Sequence, residues 1–180
     1  MLDWVKAHRP AAAAITVAAL ILLGLGIYWF GPERLVLDRE VAEALPTPTG
    51  ATGPSSGEEP PEEPSAVEEL GSGEFRSLEH GTTGRARIVE LQDGSRFVRL
   101  EDLDTSDGPD LRIYLSDQPI SDEWGIWDDG EYLDLGPLKG NVGDSNYPVP
   151  ENVDLSRFRT VVIWCRRFTV GFAVAPIEGS

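Results

Sequence analysis

One sulfur atom concentrates much of the chemistry open to this chain. The stretch TVVIWCRRF, residues 160–168, holds the only cysteine, Cys165. In an extended strand, side chains alternate between faces, so Val161, Ile163 and Cys165 share one side and Val162, Trp164 and Arg166 the other. Two readings follow. Free cysteine packs well as a small hydrophobe, and an apolar face ending in Cys165 suits a strand buried in a core. Alternatively, Cys165 is a redox group supported by Trp164, Arg166 and Arg167, with Arg167 on its side if the strand continues. Guanidinium charge favours the thiolate, and with it nucleophilicity and oxidation, provided the sulfur meets solvent. A lone thiol can form a sulfenic acid or a mixed disulfide but no internal disulfide. It would therefore need a partner thiol, a cofactor or a second copy of the chain.

Other chemistries have fewer residues to draw on. Axial haem ligation uses His, Met or Cys. Met1 and His8 precede the apolar segment, which leaves His80 and Cys165 downstream. Bis-His and His/Met ligation within one folded domain are thereby ruled out, and His80 in LEHG reads as a surface residue at a strand end. The densest acidic cluster, EDLDTSDGPD, offers Asp102, Asp104, Asp107 and Asp110 as hard oxygen ligands for calcium. It opens like an EF-hand loop, but Gly108 falls one place late and no helices flank it, so a solvated loop between strands is the default. In DEWGIWDDGEY, Trp124 and Trp127 lie among Asp128 and Asp129. Such a loop could grip a sugar or a cationic ligand, or simply pack over a sheet edge. No G-x-S-x-G elbow, P-loop or G-x-G-x-x-G turn is present. The formal charge of -16 argues against nucleic acid, whose phosphates need clustered Lys and Arg.

Several elements must hold these residues. Residues 11–30, AAAAITVAALILLGLGIYWF, are uncharged and long enough to cross a bilayer as a helix. A cleaved signal peptide is the rival reading, but the run ends in bulky Tyr28, Trp29 and Phe30, which suit a membrane interface along with Trp4. Lys6 and Arg9 lean the short segment 1–10 toward the cytoplasm, which puts the rest of the chain outside it. Residues 31–45 include Leu35, Ala42 and Leu45 near one helical face, so a short juxtamembrane helix is expected there. Residues 46–70 are rich in Pro, Gly, Ser, Thr and Glu. They read as a disordered tether holding the domain off the bilayer.

From residue 71 to 180 the pattern has period two. GRARIVELQ, SRFVRLEDL, DLRIYLS, EYLDLGPL, TVVIWC and TVGFAVAPI alternate, and Asp93-Gly94, Gly108-Pro109, Asp129-Gly130 and Pro148 separate them. Leu111, Ile113 and Leu115 fall on one face, and LQDGSRF is the clearest hairpin. Seven or eight short strands at this spacing predict an all-β, antiparallel sandwich or barrel.

GPDLRIYLS (108–116), LGPLKGNVGDSNYPVP (135–150) and VDLSRFRTVVIWCRRFTVGFAVAPI (153–177) together resemble the electron-transfer DM-thirteen domain. This family accompanies DOMON domains in animal proteins and occurs alone in bacteria. The resemblance spans residues 73–177 and carries several motifs in order. It implies a β-sandwich-like extracytoplasmic domain in membrane-anchored form, with a redox role centred on the Trp164-Cys165 pair. The partner it would serve outside the cytoplasm is unidentified. A ligand- or protein-binding module with a structural Cys165 remains the alternative.

Overall fold

The structure is a computed structural model, and it describes residues 9–30, 38–46 and 67–179. The first unit contains one helix, α1 (Arg9–Phe30). Within it, Pro10–Tyr28 is long and apolar enough to cross a membrane. Thr16 interrupts the apolar run, and its hydroxyl donates to the Ala12 carbonyl at 3.0 Å, so the polar group is satisfied inside the helix.

The second unit, Asp38–Ser180, is β-rich. Its ten described strands are β1 (Glu40–Ala42), β2 (Val67–Glu74), β3 (Arg76–Ser77), β4 (Thr82–Leu91), β5 (Arg96–Thr105), β6 (Leu111–Ser116), β7 (Tyr132–Pro137), β8 (Val142–Val149), β9 (Thr160–Cys165) and β10 (Val170–Pro176). They form two five-stranded sheets, ordered β1-β8-β5-β4-β2 and β3-β10-β9-β6-β7. The expected sandwich is therefore present, with more strands than the seven or eight that alternation predicts. The extra strands are the short edge pieces β1 and β3, too brief for periodicity to register.

Alternation explains how the sheets pack. Leu111, Ile113 and Leu115 of β6 lie beside Cys165, Ile163 and Val161 of β9. All six enter one core with Ala86 and Ile88 of β4 and Val98 and Leu100 of β5. The other face of β9 is covered as well: Val162 and Trp164 join Tyr114, Trp127 and Val174 in a second cluster closed by Ile120, Ile126 and Leu78. Burial on both faces is why TVVIWC is nearly all apolar. Between β9 and β10 the register shifts at Gly171/Ala173. This bulge brings both Phe172 and Ala173 to the main core and leaves Val174 on the opposite side. The β4–β5 hairpin turns at Asp93-Gly94 as expected, closed by the Gly94 N–H donating to the Leu91 carbonyl at 2.9 Å.

Three sequence expectations need correction. Within the juxtamembrane segment, 38–46 is not helical: β1 pairs in parallel with the edge of β8, Glu40 to Val142 and Ala42 to Asp144. The edge is shaped for it. Gly143 has φ 98°, and a Cβ there would stand 2.1 Å from the Val41 carbonyl oxygen. Tertiary pairing thus overrides a local helical spacing, whose remaining part, 31–37, lies outside the described residues. The start of the domain also moves. Val67 to Leu70, expected to belong to the tether, form the start of β2 and pair with β4. The expected disorder of 47–66 lies outside the described residues. Finally, this stretch connects β1 at one edge of a sheet to β2 at the other, so it does not lie between the anchor and the domain.

Candidate functional site

Cys165 is the last residue of β9, where it pairs with Leu111 on one side and Val170 on the other. The chain then turns: the Phe168 N–H donates to the Cys165 carbonyl at 3.3 Å, and Thr169 takes φ 52° on the way into β10. The turn ends the strand at the sulfur, so Arg167 is not carried onto the Cys165 face as a continued strand would carry it. Arg166 points elsewhere: its Nε lies 2.9 Å from Asp110 Oδ2 at the surface. Arg166, which alternation along the strand already places on the face opposite Cys165, neutralises a carboxylate.

The thiol has 0% exposure. Burial pushes it above its ordinary value of 9.0. Backbone amides of Phe168, Arg167 and Asp110 draw it down in part, while the Asp110 carboxylate raises it. A sulfur held protonated and out of solvent is a poor nucleophile and a poor partner for thiol exchange. The arrangement suits the first reading of the strand, in which Cys165 completes an apolar face.

Trp164, next in sequence, faces the second cluster and is also fully buried. Its ring lies 6.1 Å from that of Tyr114, at an interplanar angle of 30°. Tyr114 in turn stacks on Tyr132 at 4.9 Å and 16°. Burial first, then the neighbouring Asp134 and Tyr132, push the Tyr114 phenol up to about 12. The DEWGIWDDGEY loop does not present its tryptophans together. Trp124 is 52% exposed, whereas Trp127 is buried, with Nε1 unpartnered among the described residues. Ser116 fixes this loop by donating to the Trp127 carbonyl at 2.9 Å.

The calcium candidates separate. Asp102 and Asp104 belong to β5 and are exposed, so the cluster is not the single solvated loop that composition suggests. Asp107 is taken by Arg39, with Nε and Nη2 at 2.8 and 2.9 Å from its two oxygens. Asp110 is held by Arg166. No group of three or more His, Cys, Asp or Glu side chains able to hold a metal gathers among the described residues. His80 sits in the bend after β3, half-buried, with its ring 3.9 Å from that of Phe172. It is thus a packed residue, not a free surface one.

The polar sites that sequence reasoning misses lie along β1. Asp107 is 1% exposed at its side chain, and Arg39 is its counter-ion. Asn141 accepts from the Arg39 N–H at 2.7 Å and donates to Asp38 and to the Thr105 carbonyl, both at 2.9 Å. Glu43 receives Lys139 Nζ at 2.8 Å and the Asn146 N–H at 2.8 Å. Burial raises the Glu43 carboxyl, but these donors outweigh it and hold the group below the ordinary 4.5. Partners 36 to 103 residues apart leave no local signal.

Two packed five-stranded sheets with a buried cysteine closing one strand define an all-β domain behind a helix able to cross a membrane. The family described as Electron transfer DM13 matches residues 74–177, more than half of the chain, and this protein belongs to it. The family assignment carries an electron-transfer role. No curated protein and no solved structure matches the chain.

Proposed function

We propose that this chain is a membrane-anchored electron-transfer domain, held outside the cytoplasm by α1, in which Cys165 serves the fold and does not exchange thiols. The observation that carries the cysteine's role is its complete burial among Leu111, Ile163, Phe172 and their neighbours, with the thiol pushed toward its protonated form. Electrons can cross packed protein without the sulfur meeting a reagent, whereas thiol exchange needs contact between two sulfurs. The orientation rests on Lys6 and Arg9 ahead of the helix.

Thiol labelling across pH tests this directly. The expected result is no reaction with a maleimide until the domain is unfolded, and one-electron exchange with a metal complex that is unchanged in Cys165→Ala. Rapid native labelling, or electron exchange lost in that variant, would return the role to the sulfur and make the thiol-centred redox form the better account.

The second reading, a binding module with a structural Cys165, draws on Trp124, which is half-exposed beside the acidic Asp122 and Glu123. Failure of the whole chain to exchange electrons with any one-electron partner would favour it.

A further inference from the structure

Three oxidisable rings lie in a line across one face of a sheet. Trp164 on β9, Tyr114 on β6 and Tyr132 on β7 occupy three adjacent strands. The register is diagonal: Tyr114 is opposite Val162, two places before Trp164, and Tyr132 is opposite Ser116, two places after Tyr114. Diagonal neighbours on one face are within reach of aromatic side chains. The line begins at a fully buried indole, passes a phenol that is 3% exposed and ends at one that is 44% exposed. Tyr132 and Tyr114 stack at 16° with centroids 4.9 Å apart, and Tyr114 and Trp164 lie at 30° and 6.1 Å. Electronic coupling decays steeply with the gap between donor and acceptor, so rings in contact couple better than aliphatic packing of equal length.

We propose that Tyr132, Tyr114 and Trp164 form an electron path between the buried indole and a cationic, high-potential one-electron partner docking at the β7 edge. The proposal rests on the electron-transfer reading above. In the forward step Trp164 gives up one electron and becomes an indole radical cation, while the partner is reduced by one electron. No bond forms or breaks and no proton leaves. A one-electron reductant at the same face returns the electron. The Tyr114 phenol, pushed up to about 12 by burial, is protonated at neutral pH as an ordinary phenol is, and the forward step leaves that proton in place.

The charge of the partner follows from the rim. Residues 117–131, which lead into β7, carry Asp117, Asp122, Glu123, Asp128, Asp129 and Glu131 and no Lys or Arg. Glu131 is paired with Arg157, and Arg112 and Arg166 stand near Tyr114, but acids remain in excess; such an excess of one sign draws the opposite sign, more weakly as salt rises.

Flash-quench oxidation of the full chain in nanodiscs provides the test. Tris(bipyridine)ruthenium is the cationic probe, and the indole radical is followed by transient absorption. Trp4, Trp29, Trp124 and Trp127 are replaced by Phe to silence competing indoles. The expected outcome is an indole radical that Trp164→Phe abolishes, that forms severalfold more slowly in Tyr132→Leu, and that slows with added salt. Tyr132 is exposed at an edge strand, so its variant tests the path without unfolding the core, and a thermal melt checks this. A radical unaffected by Tyr132→Leu, or persisting undiminished in Trp164→Phe, would overturn the path. In that case, continued electron exchange by the chain would leave the electron-transfer reading standing; no exchange at all would remove both.

Discussion

Cys165 shows how burial decides what a reactive atom can do. The side chain with the greatest latent reactivity is placed where that reactivity is suppressed, opposite Leu111 in the strand register and inside the main core. Its raised pKa is also a statement about stability. The unfolded thiol ionises near 9.0, while the folded one holds its proton to higher pH. The contribution is therefore intact below pH 9.0 and is lost as pH rises through the folded value. Denaturant melts should show an alkaline loss of stability that is shallower in Cys165→Ala. At neutral pH the same variant should cost about 1 kcal/mol, the scale for removing one heavy atom from a packed core. A variant as stable as the parent throughout the alkaline range would contradict this placement of the sulfur.

Among the elements, β1 is the one whose removal should matter most for its length. Arg39→Ala strips a bidentate partner from Asp107, whose side chain is almost sealed from water, and should cost about 2 kcal/mol in denaturant unfolding. Arg166→Ala, which breaks the exposed pair with Asp110, should leave the midpoint where it was. Acid should loosen the same strand. The Glu43 carboxyl sits below its ordinary 4.5 in the fold, so its contribution is full above that value and is lost as pH falls through the depressed one. Hydrogen exchange of the β1 amides against pH reads this; Glu43→Gln should flatten the profile. Legibility divides along the same lines. The faces of β6 and β9 were readable because alternation there is unbroken, and the β4–β5 hairpin because Asp93-Gly94 marks its turn. β1 was not, since three residues show no period and its partners lie far along the chain. The bulge at Gly171 was also invisible, because a single extra residue reverses faces without changing composition. The separate fates of Trp124 and Trp127 depend on how the loop closes over β9, which no spacing encodes.

At the scale of the whole molecule, the family match begins at residue 74, yet the folded unit begins at Asp38. Across the outer face of the β1-containing sheet, Glu69, Arg87, Glu101, Arg99 and Asp144 alternate in sign, with contacts of 2.6, 2.9, 2.8 and 2.7 Å. This chain of pairs links β2, β4, β5 and β8, so four of the five strands are tied together, while β1 is held by Arg39–Asp107 and the contacts of Glu43. The position of 47–66, between two strands of one sheet, has a further consequence for shedding. A protease that cuts there severs the covalent route from the helix and β1 to the rest of the domain, but should leave β1 seated on β8, complete with its Arg39–Asp107 lock. With α1 as the proposed anchor and a cleavage site engineered into 47–66, the nicked protein should sediment with membranes, and should leave them when Arg39→Ala or acid frees the strand. Scission alone would then be a silent event, and release would be governed by a noncovalent clasp that the cell can open without a second cut.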